Sequence, residues 1–444
     1  MPLYAWIASP AIQKGNARVE SGHRRGPVLA IEHLDSPEQD AAKQIPPIGR
    51  MNTELLNRLP KVSPNSMTAR LLLAFLAAAG LFYVNIMPAL VDGLKEGLGF
   101  SNKQAGLVGS CNVYGAACGA FLIPFLVRRI NWRSAAHLFL LGLIGMDLLS
   151  MLVKNPYGLM GARFLHGFIG GMLVGIGFSI FARTTAPDRT FGMLLLVQGF
   201  AGGLGVMSLP LLVPRFGTNV LFVSLILFSV TTLLMLQFLP DYPVKVPLTR
   251  TQGAAADRLK LKLLLLALFS AFFFQAGNMG LYAFIIGLGK HHGLELAFVS
   301  ETLGVANWFA MLGAVLVIVL STRFGIFKPI LGGMLLALVG TYTFNYCEIK
   351  WVWIAANIGT GIMWNFVISH LLGMCARFDQ TGQTAVWGGF ASKMGLASGP
   401  MLASFIVGAG NYSALIAMAL VLLAFATLAS AIPAWVLDRG AINN

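Results

Sequence analysis

Two cationic side chains, Arg163 and Lys393, interrupt runs of apolar residues that are otherwise uniform enough to sit in hydrocarbon. A charge in such a place must be paired, neutral or wetted, and it marks a functional site by default. Asp147 is the only acidic residue well inside an apolar run, since Asp92 and Glu301 fall at the ends of theirs. Proton carriage is the chemistry open to it. Desolvation favours the neutral carboxyl and a nearby cation favours the carboxylate, so a change in their separation moves a proton on or off. His166, three residues after Arg163, is the second proton-coupling candidate. At the depth of Lys393 the second half of the chain offers no acid, so the partners of its ammonium are expected to be cavity water and an anionic substrate. For both cations the competing reading is a side chain that snorkels to the headgroups.

Uncharged polar residues form two stripes at helical spacing. Gln275, Asn278 and Tyr282 recur at i, i+3 and i+7, and Asn357, Gly361, Trp364 and Asn365 share a face in the same way. Asn112 with Tyr114, and Asn307 with Trp308, add two further pairs. Amides beside aromatic rings suit the lining of a cavity for a small organic molecule; the alternative for any one asparagine is hydrogen bonding between helices. Nothing in the chain suggests catalysis. It has no GxxxxGK[ST] phosphate loop, no HExxH pair and no GxSxG elbow, and its four cysteines lack CxxC spacing, so neither a cofactor nor a metal is expected.

Positioning these residues is the task of apolar helices. At 57% hydrophobic and 11% charged residues, a soluble chain of 444 residues has too little polar surface to cover itself, which places this one in a bilayer. Beyond residue 66, apolar segments of about 20 residues each match the length needed to cross ~30 Å of hydrocarbon. Six are expected at 69–91, 103–127, 134–153, 158–181, 191–213 and 218–239, and six more at 263–288, 296–321, 328–346, 351–374, 385–408 and 412–437. Residues 67–240 and 263–437 therefore read as two six-helix bundles joined by a basic loop, 241–262, and followed by a short tail, 438–444. Residues 1–66 are polar and aperiodic, the composition of a disordered extension. Met51 and Met67 are both plausible starts, and no apolar stretch near Met1 reads as a secretory signal.

The two halves repeat one another. Gly199, Phe200, Ala201, Gly205, Ser208 and Pro210 recur in register as Gly389, Phe390, Ala391, Gly395, Ser398 and Pro400, and Gly109, Asn112 and Arg128 return as Gly304, Asn307 and Arg323. Repeats of apolar helices loosened by Gly and Pro are a secondary-transporter signature. Gly167, Gly171 and Gly175 leave a side-chain-free stripe along which another helix can approach closely, with Arg163 one turn before it and Asp147 at a matching depth in the preceding span, so the two are placed to pair. Most of the 31 Lys and Arg lie on the side holding both termini and the central loop, which makes that side cytoplasmic and the net charge of +14 a topology signal rather than a nucleic-acid footprint.

Twelve spans, a basic central loop and a half-chain repeat resemble the major facilitator superfamily over residues 69–437. The fourth span supports this with Arg163, Gly167 and Gly170, which match that family's R-x-x-q-G-x-g pattern with His166 standing where Gln is frequent. After the second span, Arg128, Arg129 and Arg133 keep the basic positions of the family's loop motif without its acid or its glycine, and the Gly-Pro signature of drug/proton antiporters is not reproduced at Gly199 to Gly205. The resemblance implies an all-α membrane fold, two bundles related by an axis along the membrane normal, and transport by alternating access. With no ATP site, the energy must come from a gradient. The expected function is proton-coupled uptake of a small organic anion by a monomer in the inner (plasma) membrane. Proton-driven efflux of drugs or metabolites is the alternative, and a non-transporting receptor or scaffold the remote one.

Overall fold

The computed structural model describes residues 60–126, 130–242, 258–320, 324–378, 383–408 and 410–440. Arg128, Arg129 and Arg323, most of the central loop and the polar extension through residue 59 lie outside the described residues. Among the described residues all regular structure is helical.

Twelve spans are present among them. Eleven helices are long and apolar enough to cross a membrane by themselves. The remaining crossing, α1, is assembled from three pieces, Met67–Ala79, Phe82–Asn85 and Met87–Leu98. It breaks at Gly80, where a Cβ would strike the carbonyl oxygen of Gly170, and resumes with Pro88 in the first turn of its last piece. The others are α2 (Asn102–Leu126), α3 (Trp132–Leu152), α4 (Pro156–Phe181), α5 (Pro187–Phe216) and α6 (Asn219–Leu236). In the second half, α7 (Arg258–Ala283) carries an offset last piece, Ile285–His291, and is followed by α8 (Leu296–Leu320), α9 (Phe327–Thr343), α10 (Lys350–Ala376), α11 (Gln383–Val407) and α12 (Tyr412–Asp438). Short polar caps end these apolar rods. Asn131 accepts from the amides of Arg133 and Ser134 at the start of α3, and Asn155 does the same for Tyr157 and Gly158 just ahead of α4.

Packing repeats with the half-chain period. α2 lies on α4 as α8 lies on α10, α1 on α5 as α7 on α11, and α3 on α6 as α9 on α12. The bundles meet along α5 with α8 and α2 with α11, two contacts that exchange under the same relation. Interior positions hold large apolar side chains such as Trp353, Phe181 and Phe284 together with small and polar residues, while further leucines such as Leu138, Leu148 and Leu152 on α3 point outward, the apolar exterior suited to lipid. The glycine stripe on α4 works as its spacing predicts. A Cβ on Gly167 or Gly171 would collide with the backbone oxygens of Asn112 and Ala116, and Gly115 and Gly119 of α2 face Phe164 and Phe168 of α4 in the same intimate way. With no hydrophobic drive between helices in lipid, this dense van der Waals contact is what attaches them.

One boundary moves. Residues 61–66, expected in the free extension, are tied to the bundle: Val62 N donates to Phe238 O at 3.0 Å, Tyr242 Oη to Pro64 O at 3.0 Å and Thr185 Oγ1 to Asn65 Oδ1 at 2.8 Å, and Ser66 caps α1. These are backbone and polar contacts, which apolar periodicity does not reveal.

A matched pair of substitutions tests the α2 contact. Gly167→Ala drives a methyl into backbone and should cost ~1–3 kcal/mol or more, whereas Gly161→Ala on the same helix meets no atom within 4 Å. Thermal unfolding of the two purified variants should show a lower midpoint for the first only; equal midpoints would refute the close-approach account.

Candidate functional site

Five helices of the first bundle, α1, α2, α3, α4 and α6, enclose a polar cluster. Arg163 Nη1 donates to Asp147 Oδ1 at 2.8 Å, and its Nη2 donates to Met146 O at 2.9 Å and to Ser150 Oγ. The pair is sealed, with Arg163 and Asp147 both 0% exposed. Aromatic faces complete the guanidinium's surroundings, the ring of Phe222 at 5.1 Å and that of Tyr83 at 5.8 Å. Asn112 on α2 donates from Nδ2 to Arg163 O at 3.0 Å and to His166 Nδ1 at 2.8 Å. An amide N–H directed at Nδ1 leaves the imidazole proton on Nε2, which lies 3.4 Å from Asp147 Oδ1; the tautomer follows from the network. Arg163, Asp147, His166 and Asn112 thus form one connected unit, drawn together because the α4 glycines let α2 approach. Asp147 Oδ2 and Arg163 Nε are sealed without a partner.

A different kind of site lies between the bundles. A chamber of ≈ 430 Å³ is bounded by α5, α8 and α10 with Val84 and Asn85 of α1 at its inner end. That volume falls within the range of small-molecule pockets. Arg189, exposed near the start of α5, stands at its outer end, on the face that carries the termini. Asn307, Ala310 and Trp364 line this chamber and also a recess of ≈ 60 Å³ inside the second bundle, where Asn278, Tyr282, Asn357 and Thr360 project. Among the described residues no carboxylate lines either space.

Toward the face opposite the termini the bundles are joined. Tyr282 Oη donates to Asn85 O at 3.2 Å, Asn102 Nδ2 to Gly408 O at 2.9 Å, and Lys290 Nζ pairs with Asp92 at 3.1 Å and with Glu96. In the other direction α5 and α8 touch through Gly203 with Trp308 and Gly199 with Met311, and then part around the chamber.

The structure sorts the twelve expected substrate residues into five groups. Asn278, Tyr282, Asn307, Asn357, Trp364 and Asn365 line the spaces just described. Gln275 stands one layer behind, accepting from Trp364 Nε1 at 2.5 Å and donating to Ser392 Oγ at 2.9 Å. Arg163 and Asn112 do not reach the chamber; they belong to the sealed cluster, because the faces that carry them are turned toward each other by the glycine contact. Tyr114 joins Ser398 across α2 and α11 at 2.8 Å, and Trp308 packs over Gly203 and Phe200, so both are interface residues rather than lining ones. Lys393 is half-buried with no hydrogen-bond or ion-pair partner among the described residues. It lies nine residues, about 180° of helix, from lipid-facing Leu402, which turns it toward the interior between the bundles.

Several lining residues escape sequence reasoning. Asn85 and Gln198 meet across α1 and α5 at 3.5 Å, and the Nε2 of Gln198 is sealed without a partner. Asn85 sits where α1 is interrupted, and Gln198 directly precedes the Gly199 repeat, so each had a neighbouring signal. Arg189 and Thr360 had none.

Comparison with known proteins agrees with this architecture. The family model described as Major Facilitator Superfamily matches residues 71–385. The crystal structure of a point mutant of the nucleoside transporter NupG superposes with a TM-score of 0.65 at 12% identity, covering 82% of this chain and 98% of that one. The in meso crystal structure of the POT family transporter PepTSo gives 0.64 at 11% identity over 86% and 100%. No curated protein matches the chain. With its twelve spans, half-chain symmetry and matched family model, this chain belongs to the major facilitator superfamily.

Proposed function

We propose that the protein is a secondary active transporter that takes up a small organic anion together with protons, with its termini and basic loops in the cytoplasm of a cell whose inner membrane it spans. The observation that carries this reading is the chamber itself: it separates α5 from α8 on the terminus-bearing side, while Lys290, Asp92 and Glu96 tie the bundles together on the other. That asymmetry suits one half of an alternating-access cycle. NupG is described as a nucleoside transporter and PepTSo as a POT family transporter, which supports the carriage of small polar solutes.

Charge favours an anion. The chamber has Arg189 at one end and no carboxylate among the described residues of its lining, and Lys393 faces inward without a protein counterion there. Proton coupling is assigned to Asp147 with His166. Asp147 Oδ1 is engaged by Arg163 and His166, while Oδ2 is free to take a proton once a conformational change admits water. The defining experiment is uptake by proteoliposomes against a panel of organic acids with the outside made acid. Gradient-driven accumulation of an anion supports the reading; accumulation only when the gradient is reversed assigns export, and no flux in either direction refutes transport.

Asp147→Asn removes the counterion of a sealed arginine, a change that costs about 3–5 kcal/mol when one partner of a buried pair is lost. The double variant Asp147→Asn/Arg163→Gln should recover folded protein. In it, exchange of substrate across the membrane should persist while pH-driven accumulation disappears. Accumulation that survives in the double variant would move the proton site elsewhere.

Lys393 gives a second test. Lys393→Ala should raise the KM for anion uptake by about tenfold, the loss of one charge-assisted contact, and Lys393→Arg should stay much closer to the parent, with similar yields of folded protein. Unchanged kinetics in Lys393→Ala would return this lysine to an anchoring role.

A further inference from the structure

We infer that the recess and adjoining chamber are built to receive a hydrogen-bond donor, an ammonium or hydroxyl group of the substrate, in addition to any anionic end. Resting on the transport reading, this names a second functional group of the solute. It follows from where the donors of the lining residues point. Asn278 Nδ2 donates to Phe274 O at 2.8 Å and Asn357 Nδ2 to Trp353 O at 2.8 Å, each one turn back on its own helix. Asn365 Nδ2 donates to Ala310 O at 2.9 Å. Asn307 uses both of its N–H groups, on Leu303 O at 2.9 Å and Tyr282 Oη at 3.0 Å.

The amide orientations are fixed by this arrangement, since exchanging O and N would set oxygen against oxygen at each of these carbonyls. The hydroxyl and indole donors are engaged too. Thr360 Oγ1 donates to Ala356 O, Tyr282 Oη to the Asn85 carbonyl or Asn307 Oδ1, and Trp364 Nε1 to Gln275 Oε1. Apart from Arg189 and Asn85 in the chamber, what remains directed at these spaces is chiefly acceptor capacity. The carbonyl oxygens of Asn278, Asn357 and Asn365 bind nothing among the described residues and none is sealed away, so each keeps two vacant lone pairs against at most one N–H.

With acceptors in excess, such a wall disfavours a carboxylate, whose oxygens only accept, and leaves an alkyl group facing dehydrated carbonyls. An ammonium offers three donors and no acceptor, and the rings of Tyr282 and Trp364, 5.8 Å apart, add faces that attract a cation. A hydroxyl satisfies the same oxygens singly. The anionic end is then left to Arg189 and Lys393 outside the recess.

Affinities of three matched probes for the purified full-length protein, measured by ligand-induced thermal stabilisation, decide the matter: 4-methyl-, 4-hydroxy- and 4-aminocyclohexanecarboxylate. The hydroxy or amino compound should bind about tenfold or more tighter than the methyl one, the effect of one well-placed buried hydrogen bond, and which of the two binds better identifies the donor. Asn357→Leu and Asn278→Leu should each compress that preference to within about threefold, because the carbonyls they release still serve their own helices. Equal binding of all three probes, tighter binding of the methyl compound, binding of none, or a preference unaffected by both leucine variants would overturn the proposal. Replacing the carboxylate of each probe by a carboxamide reads the anion assignment separately. Because binding is measured without flux, a protein that keeps the ranking but moves no solute would refute transport while leaving the acceptor wall in place.

Discussion

A guanidinium sealed between helices in a lipid-facing bundle is tolerable only with its counterion and hydrogen bonds in place, and much of the first bundle is arranged around that requirement. Arg163 needs Asp147 from α3, the Met146 carbonyl and Ser150 from the same helix, and aromatic faces from α1 and α6. Asn112 adds to this set, bridging Arg163 O and His166, because α2 can approach α4 closely. Glycine at 115, 119, 167 and 171 is therefore part of the electrostatics as well as the packing. A methyl at one of these positions would push apart the elements that keep a buried charge compensated.

The second bundle solves a different problem with the same architecture. α8 and α10 occupy the places of α2 and α4, yet among the described residues no charge is enclosed between them; Asn307, Asn357 and Trp364 take the interior instead. Asn307 is the repeat partner of Asn112, and the two have diverged in what their amides serve. Asn112 directs both N–H groups into a dry cluster, whereas Asn307 lines open space. One repeat unit is closed around its charges, the other keeps vacant acceptors against open space.

Much of this is legible in the sequence, for physical reasons that can be named. Span length and hydropathy locate helices because hydrocarbon thickness demands them. The four-residue glycine spacing announces a close contact because nothing else relieves the clash, and Asp147 and Arg163 pair because the depths of two adjacent spans coincide. Periodicity also puts Asn278 with Tyr282, and Asn357 with Trp364, on common faces that do meet at the recess. What periodicity lacks is the neighbour. It places Arg163 and Asn112 on the substrate path, but a polar residue faces either a cavity or another helix, and only the α2 to α4 contact decides which. Tyr114 and Trp308 likewise meet neighbours that periodicity does not show, each at an interface between the bundles. The break in α1 that exposes Asn85 is hidden because its residues are as apolar as an unbroken span.

Separation of the two polar regions constrains any coupling between them. The sealed cluster sits within the first bundle, and the chamber draws most of its polar lining from the second, so on the transport reading a proton at Asp147 cannot act on the solute by direct contact. Its influence has to pass through elements that touch both. α1 is the element so placed: Tyr83 lies against Arg163 and His166, and two residues later Asn85 accepts from Tyr282 of α7 and meets Gln198 of α5 at the chamber's inner end. α1 is also interrupted on both sides of these residues, between Ala79 and Phe82 and again at Ile86, so a short piece can shift without dragging a continuous hydrogen-bonded rod. A loosened helix that contacts the buried ion pair on one side and the chamber wall on the other can relay a change in Asp147 to the solute site by movement alone.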